Sequence, residues 1–378
     1  MKKLLFISHD AHLAGAQILL LNLLKWLKEN HSDKIKFDVL LAGGGNLTVD
    51  FESIATVYKV PLQKKEANVF EKIMYKLKLI IFYNQINHKH YDLIYNNTFS
   101  NGKLLNILKH YKVPVITHVH ELEYWIKKNG IQNQNYIKDC THYYLTASSS
   151  VQDYLLANHI ATSDNVEVVY EWIDSAALLS QNNKKSIKVL LNLSEDAIII
   201  AASGHENFRK GKDWFVPVAI QVLYKFNTNN IHFVWIGGQT SEELVFDFEK
   251  SGFRSNIHFI EHMPNASAYF HEFEIFMMLS REDPFPLVNL EVAIWEVPVV
   301  CFQNAGGTEE LISDNCGLAV PYGNLNMFSE TIIKLIENKK LKNEIGKNIK
   351  EKVIKEFDIN VVGEKILKAI FKVSKENE

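Results

Sequence analysis

A chain of 378 residues is long for one small hydrophobic core and comfortable for two domains. With 47% apolar residues, 22% charged residues and a formal net charge of -3, its composition is ordinary for a globular protein and does not point to nucleic acid as a partner. Cys140, Cys301 and Cys316 are scattered and form no CxxC pair, which fits a reduced, cytoplasmic compartment.

The opening MKKLLFISHD imitates a signal peptide, but its apolar run stops at Ser8-His9-Asp10 with no small-residue cleavage site, so it reads as a first strand. The stretch ILLLNLLKWL that follows is interrupted by Asn22 and Lys25, which excludes a bilayer span. LLFIS (4–8), FDVLLA (37–42), TVYKV (56–60), LIYNNT (93–98), PVITHVH (114–120), YYLTAS (143–148) and VEVVY (166–170) read as buried strands. Helical patterns lie between them, over 16–28 and 69–82. The second has an apolar face that includes Val69, Phe70, Ile73, Met74, Leu77, Ile80 and Ile81. Lys64, Lys65, Lys72, Lys76 and Lys78 stand there against Glu66 and Glu71. That pattern describes a membrane-surface helix, and equally a helix packed on a sheet.

Polar residues at 180–186 mark a linker, after which the alternation restarts. AIIIAAS (197–203), IHFVWIG (231–237), IHFIEHM, IFMMLS (275–280), VPVVCF (297–302) and GLAVPY (317–322) read as six more strands. The expected fold is α/β: two Rossmann-like, doubly wound parallel-sheet domains, 1–178 and 187–356, with a cleft between them, followed by a last helix within 357–378. In such sheets ligands collect at the carboxyl ends of the strands.

Those ends are rich in polar residues. After the first strand, Gly15 and Ala16 allow close backbone approach where a helix begins, either as an anion or sugar seat or as a tight turn. AGGGN (42–46) carries the same two readings. In THVHELE, His118 and His120 share one strand face. Their spacing is not that of a helical zinc site, and a strand-end histidine exposed to a cleft can donate to a substrate hydroxyl. SGHENFRKGKD puts His205, Arg209 and Lys210 in one loop, either a diphosphate clamp or a solvated basic loop. The chain's only arginines are Arg209, Arg254 and Arg281, among many lysines, so each is a candidate for a place that needs a planar, bidentate donor.

In SREDPFPLVNLE (280–291), Asp283 and Glu291 stand eight residues apart; EVPVV (296–300) and GGTEE (306–310) follow. Together with RKG (209–211) and AGAQ, this order resembles the GT-B family of retaining, nucleotide-sugar-dependent glycosyltransferases (family 4), over nearly the whole chain. The resemblance implies an acceptor-binding N-terminal domain, a nucleotide-sugar-binding C-terminal domain and a last helix, from Asp358 to about Lys372, that crosses back to the first. Pro286 suits the first turn of a helix. Leu287 and Val288 would offer free N–H groups, with the helix dipole behind them, to a diphosphate. Glu291 would accept from the ribose hydroxyls and Asp283 would reach the donor sugar. The family usually has Glu at the Asp283 position and Gly at Pro286, so Glu282 is a second candidate for the sugar. Arg209 and Lys210 would stabilise the leaving diphosphate, and His120 would touch the sugar or acceptor. The resemblance implies no metal and no cofactor. It gives as partners a nucleotide-sugar donor and a sugar, lipid-linked or glycan acceptor, and it allows an inner-membrane surface. A GT-B sugar-nucleotide epimerase and a non-catalytic nucleotide-sugar-binding subunit are the alternative readings.

Overall fold

The computed structural model describes residues 1–61, 66, 68–180, 185–205, 207–226, 228, 230–261, 263 and 265–375. Residues 181–184 of the expected linker, and Lys64 and Lys65 of the basic run, lie outside the described residues. The chain divides into two compact units, Met1–Glu171 with Ile359–Glu378, and Trp172–Asp358.

The first unit holds β1 (Lys2–Ser8), β2 (Ile35–Leu41), β3 (Thr56–Lys59), β4 (Leu93–Asn96), β5 (Val115–Val119), β6 (Tyr143–Thr146) and β7 (Val166–Val168). They form one parallel sheet in the order β3-β2-β1-β4-β5-β6-β7. The central strand β1 is apolar on both faces because helices cover both: Leu4, Leu5, Phe6 and Ile7 are fully buried. Each such side chain contributes about 2 kcal/mol. The last helix, Ile359–Lys375, packs on the helix Gly15–Asn30. Trp26 Nε1 donates to Asn360 Oδ1 at 2.9 Å, and Gly363 is required because a Cβ there would stand 2.8 Å from the Trp26 ring.

The second unit holds β8 (Ile198–Ser203), β9 (Ile231–Ile236), β10 (Ile257–Ile260), β11 (Ile275–Met278), β12 (Val299–Phe302) and β13 (Gly317–Val320), all parallel, in the order β10-β9-β8-β11-β12-β13. Its core gathers Phe215, Phe233, Trp235, Met277 and Phe328. In each sheet the winding direction reverses at the first strand, between β1 and β4 and between β8 and β11. Such a reversal parts the loops at the carboxyl ends and leaves a crevice for a ligand. The polar strand ends after β1, β8 and β11 fall at these two places, whereas THVHELE follows β5 and AGGGN follows β2.

Candidate active site

In the second unit, β8 and β11 are paired neighbours, so the loops that leave them meet. The first loop closes in a short turn at Phe208–Lys210, capped by Asn207, whose Oδ1 accepts from Arg209 N at 3.0 Å. Gly211 follows with φ +71°, and a Cβ there would lie 2.0 Å from Leu279 O. Only glycine lets the turn lie against the end of β11. The second loop is fixed by backbone bonds: Arg281 N donates to Arg209 O at 2.7 Å, and Asp283 N to Ala305 O at 2.7 Å.

This geometry seats Asp283 between two cations. Its carboxylate is 2.5 Å from Lys210 Nζ and 3.1 Å from Arg209 Nη1, and Ser280 Oγ donates to it at 3.3 Å. Asp283 is 6% exposed. Burial alone would raise its pKa, but Lys210 and Arg209 outweigh that and hold it below the usual carboxylate range. Asp283, expected to reach a donor sugar, here turns its carboxylate inward, where it holds the two cations. Arg209 also donates to Glu282 O at 2.5 Å, while its Nε is buried without an acceptor among the described residues. Glu282 is half-buried, and His205, in the same loop as the turn, is exposed.

The helix Leu287–Ala293 follows. Pro286 is its N-cap, in extended conformation with φ -73° and ψ 119°, one position earlier than expected. No side chain caps this end. Asn289 N–H bonds back to Pro286 O at 3.0 Å, and Leu287 and Val288 supply the two preceding N–H groups. Glu291, on the same helix, is half-buried, and desolvation pushes its pKa up to about 7.

The first unit carries the other candidates. Gly15 begins its helix without a side-chain cap. In the glycine loop at 43–45, Gly45 lies so close to Ala11 that a Cβ would stand 2.1 Å from its carbonyl carbon. His118 is fully buried, with Nδ1 2.7 Å from Tyr95 Oη and Nε2 3.2 Å from Val169 O. Burial keeps its pKa well below the ordinary value, and it is a structural histidine.

His120 was expected to be exposed. Instead its side chain is 3% exposed, with Nδ1 3.3 Å from Glu171 Oε1 and Nε2 3.1 Å from Asn97 Oδ1. Both ring nitrogens are taken. Asn97 in turn donates from Nδ2 to Ala16 O at 2.7 Å. Glu121 accepts from Phe99 N at 3.0 Å, from His120 N at 3.0 Å and from the Thr98 hydroxyl. Among the described residues, no group of three or more His, Cys, Asp or Glu is placed to hold a metal ion.

The family model described as glycosyl transferases group 1 matches residues 183–352. Residues 183–352 are a glycosyl transferases group 1 domain. An uncharacterised glycosyltransferase of Methanocaldococcus jannaschii is 24% identical over 361 residues, 93% of each chain. The capsular polysaccharide biosynthesis glycosyltransferase CapM of Staphylococcus aureus is 24% identical over 111 residues, a match that spans 29% of this chain and 29% of that protein. Anabaena HepE, solved in complex with UDP and glucose, has a TM-score of 0.81 at 18% identity, covering 98% of this chain and 100% of that one. The fold is GT-B.

Within this glycosyl transferases group 1 domain, the residue missed by sequence reasoning is Arg281. Its guanidinium makes two bonds to Asp213, at 2.8 and 2.7 Å, and donates to Phe208 O at 2.7 Å. Phe208 and Trp214 flank it, with ring centroids 3.9 and 3.8 Å away. The hydrogen bond to Arg281 is the main cause that lowers the Asp213 pKa. The sequence signal was present: a rare arginine beside the acidic pair, where a planar bidentate donor is needed. In the first unit Asn97 and Glu171 were missed, and only the sheet order brings them to His120.

Proposed function

We propose that the protein is a retaining glycosyltransferase that moves a sugar from a nucleoside-diphosphate sugar to an acceptor hydroxyl, in the synthesis of a bacterial cell-surface polysaccharide or glycolipid. The observation that carries this is the Arg209–Lys210–Asp283 triad beside the uncapped helix at Leu287. Two cations are held by one carboxylate, leaving a net positive charge, and the buried Arg209 Nε lacks an acceptor among the described residues. A diphosphate supplies the missing acceptors.

In this reading the second unit binds the donor and the first unit binds the acceptor. Leu287 and Val288 N–H groups receive the diphosphate, Glu291 accepts from the ribose hydroxyls, and Glu282 takes the sugar contact that Asp283 leaves open. During transfer the bond between the anomeric carbon and the diphosphate oxygen breaks. The acceptor oxygen bonds to the same carbon on the same face, and its proton leaves with the diphosphate. Negative charge grows on the diphosphate, and Arg209 and Lys210 stabilise it in place of a divalent ion. One well-placed donor of this kind supplies about 3 kcal/mol. His120 acts as a positioning residue: through Asn97 it fixes the backbone at Gly15 and Ala16.

The UDP in the Anabaena structure makes uridine diphosphate the first ligand to try. A thermal-shift screen with UDP, GDP, ADP and dTDP should give one tight ligand that raises the melting temperature. Slow release of that nucleoside diphosphate from its sugar conjugate in water supports transfer, and an isomerised sugar nucleotide would mean an epimerase. No shift with any of the four nucleotides would remove the reading.

A further inference from the structure

In the second unit a hollow of about 370 Å³ opens beside the Phe208–Lys210 turn, between the helix Lys212–Phe226 and the loop after β9. Another, of about 450 Å³, lies between the helices Lys212–Phe226 and Glu242–Lys250. Asp213 and Leu244 line both, so the two form one groove. An exposed aromatic ring stands at each end: Phe208 is 73% and Tyr224 66% exposed. Neither ring is loose. The Arg281 guanidinium stacks on Phe208 at 3.9 Å, and Phe253 meets Tyr224 edge to face at 4.9 Å. The helix rises about 16 Å from Asp213 to Tyr224, with Val216, Pro217 and Ile220 as an apolar wall between the rings. Pro217 has no N–H to give to Asp213 O, so this wall also carries a carbonyl without its usual helical donor. Polar groups border the Phe208 end. Asn207 Oδ1 accepts from Arg209 N, while Asn207 Nδ2 and the Gln239 side chain have no partner among the described residues. Ser241 Oγ accepts from Leu244 N at 3.3 Å and keeps its O–H to donate.

We propose that this groove holds a neutral glycan chain, a stretch of the acceptor polysaccharide away from the reacting sugar. A sugar ring has C–H groups on its face and hydroxyls on its rim, so it binds a flat aromatic surface bordered by amides and hydroxyls. Rings already fixed on their inner faces lose little freedom when the chain binds. The charges do not select a phosphate or a nucleotide: Arg281 is paired with Asp213, Lys212 Nζ donates to Gly238 O and Gln239 O at 3.1 and 2.7 Å, and Asp247 and Lys250 balance each other. The groove begins at the turn that carries Arg209 and Lys210, so a chain seated in it stays with the donor-binding unit between transfers. This deepens the proposed transfer to a glycan and rests on that reading, but glycan binding needs no donor, so the two can fail separately.

The test is calorimetric titration of the intact protein, without nucleotide, with neutral hexose hexasaccharides of the α-gluco, β-gluco, α-manno and β-galacto series and with the matching disaccharides. At least one hexasaccharide should bind. Its disaccharide should bind on the order of tenfold more weakly, because it reaches one aromatic end only. Tyr224→Ala and Gln239→Ala change exposed side chains outside the donor clamp. Each should weaken the hexasaccharide by about tenfold and keep the wild-type melting temperature and UDP response. Phe208→Ala should weaken the hexasaccharide as well. Failure of every hexasaccharide to bind overturns the proposal, as do Tyr224→Ala and Gln239→Ala variants that bind like the wild type. Displacement of the hexasaccharide by UDP would put the glycan in the donor site and overturn it too. So would a wild-type dimer in sedimentation velocity that Tyr224→Ala makes monomeric, because a second copy would then fill the groove.

Discussion

Lys210 Nζ lies 2.5 Å from the Asp283 carboxylate, and that oxygen is also 3.1 Å from Arg209 Nη1. One buried acid thus fixes two cations at the carboxyl ends of adjacent strands β8 and β11. Asp283→Asn would leave both cations uncompensated and should destabilise the second unit by about 3 kcal/mol. The Asp283 pKa is depressed in the folded protein, so its contribution is complete above about pH 4 and is lost as pH falls through the folded value. Chemical denaturation should show a gap between wild type and variant that is wide at neutral pH and closes in acid. A gap independent of pH would mean that Asp283 acts by packing rather than charge.

Arg281 locks the loop that carries this pair. Arg281→Lys keeps the charge but loses the bidentate bond to Asp213 and the stack between Phe208 and Trp214. The expected result is a donor KM raised roughly tenfold with kcat little changed, because the clamp is loosened rather than removed. Steady-state kinetics over a donor series measure this. An unchanged KM would separate the clasp from the donor site.

The thirteen strands were legible because each is an apolar run bounded by polar or turn residues, and a parallel sheet covered on both faces needs that pattern. The strand-end loops were legible for the converse reason: polar residues stop the runs where ligands collect. Side-chain directions were not. Asp283 turns inward because Arg209 and Lys210 arrive from β8, some seventy residues earlier in the chain, and no local pattern records that meeting. His120 is covered because Asn97 follows β4 and Glu171 follows β7. The apolar face at Phe70–Ile81 was readable as an amphipathic pattern, but its exposure depended on which face met the sheet.

His120→Ala should remove the support of Asn97 and, through it, of Ala16 O. Transfer should fall by a factor on the order of ten to a hundred, mainly as a raised acceptor KM, with UDP affinity unchanged. His120→Gln, which keeps a donor for Asn97 Oδ1, should recover part of the loss. Equal loss in both variants would point to direct chemistry by the imidazole, and wild-type rates in both would make His120 a packing residue.

Glu291 is protonated in the folded protein up to about pH 7, while its carboxyl in the unfolded chain ionises near pH 4.5. Its pKa is raised on folding, so stability is highest below the unfolded value and falls as pH rises to about 7, by up to about 3 kcal/mol. Glu291→Gln should remove this fall and melt at a higher temperature than the wild type at pH 8. The ionised carboxylate is the form that accepts from ribose hydroxyls. UDP affinity should therefore rise from pH 6 to pH 8 in the wild type and stay lower and flatter in Glu291→Gln. Parallel pH profiles would take Glu291 out of the nucleotide site.

The most direct measurement is calorimetric titration of UDP into the wild type and Lys210→Ala, each checked for folding by its melting transition. If Arg209 and Lys210 clamp a diphosphate, Lys210→Ala should bind UDP on the order of a hundredfold more weakly, while uridine without phosphates binds both proteins alike. If Lys210→Ala binds UDP as tightly as the wild type, the Arg209–Lys210–Asp283 triad is only a structural ion cluster, and the donor site lies elsewhere.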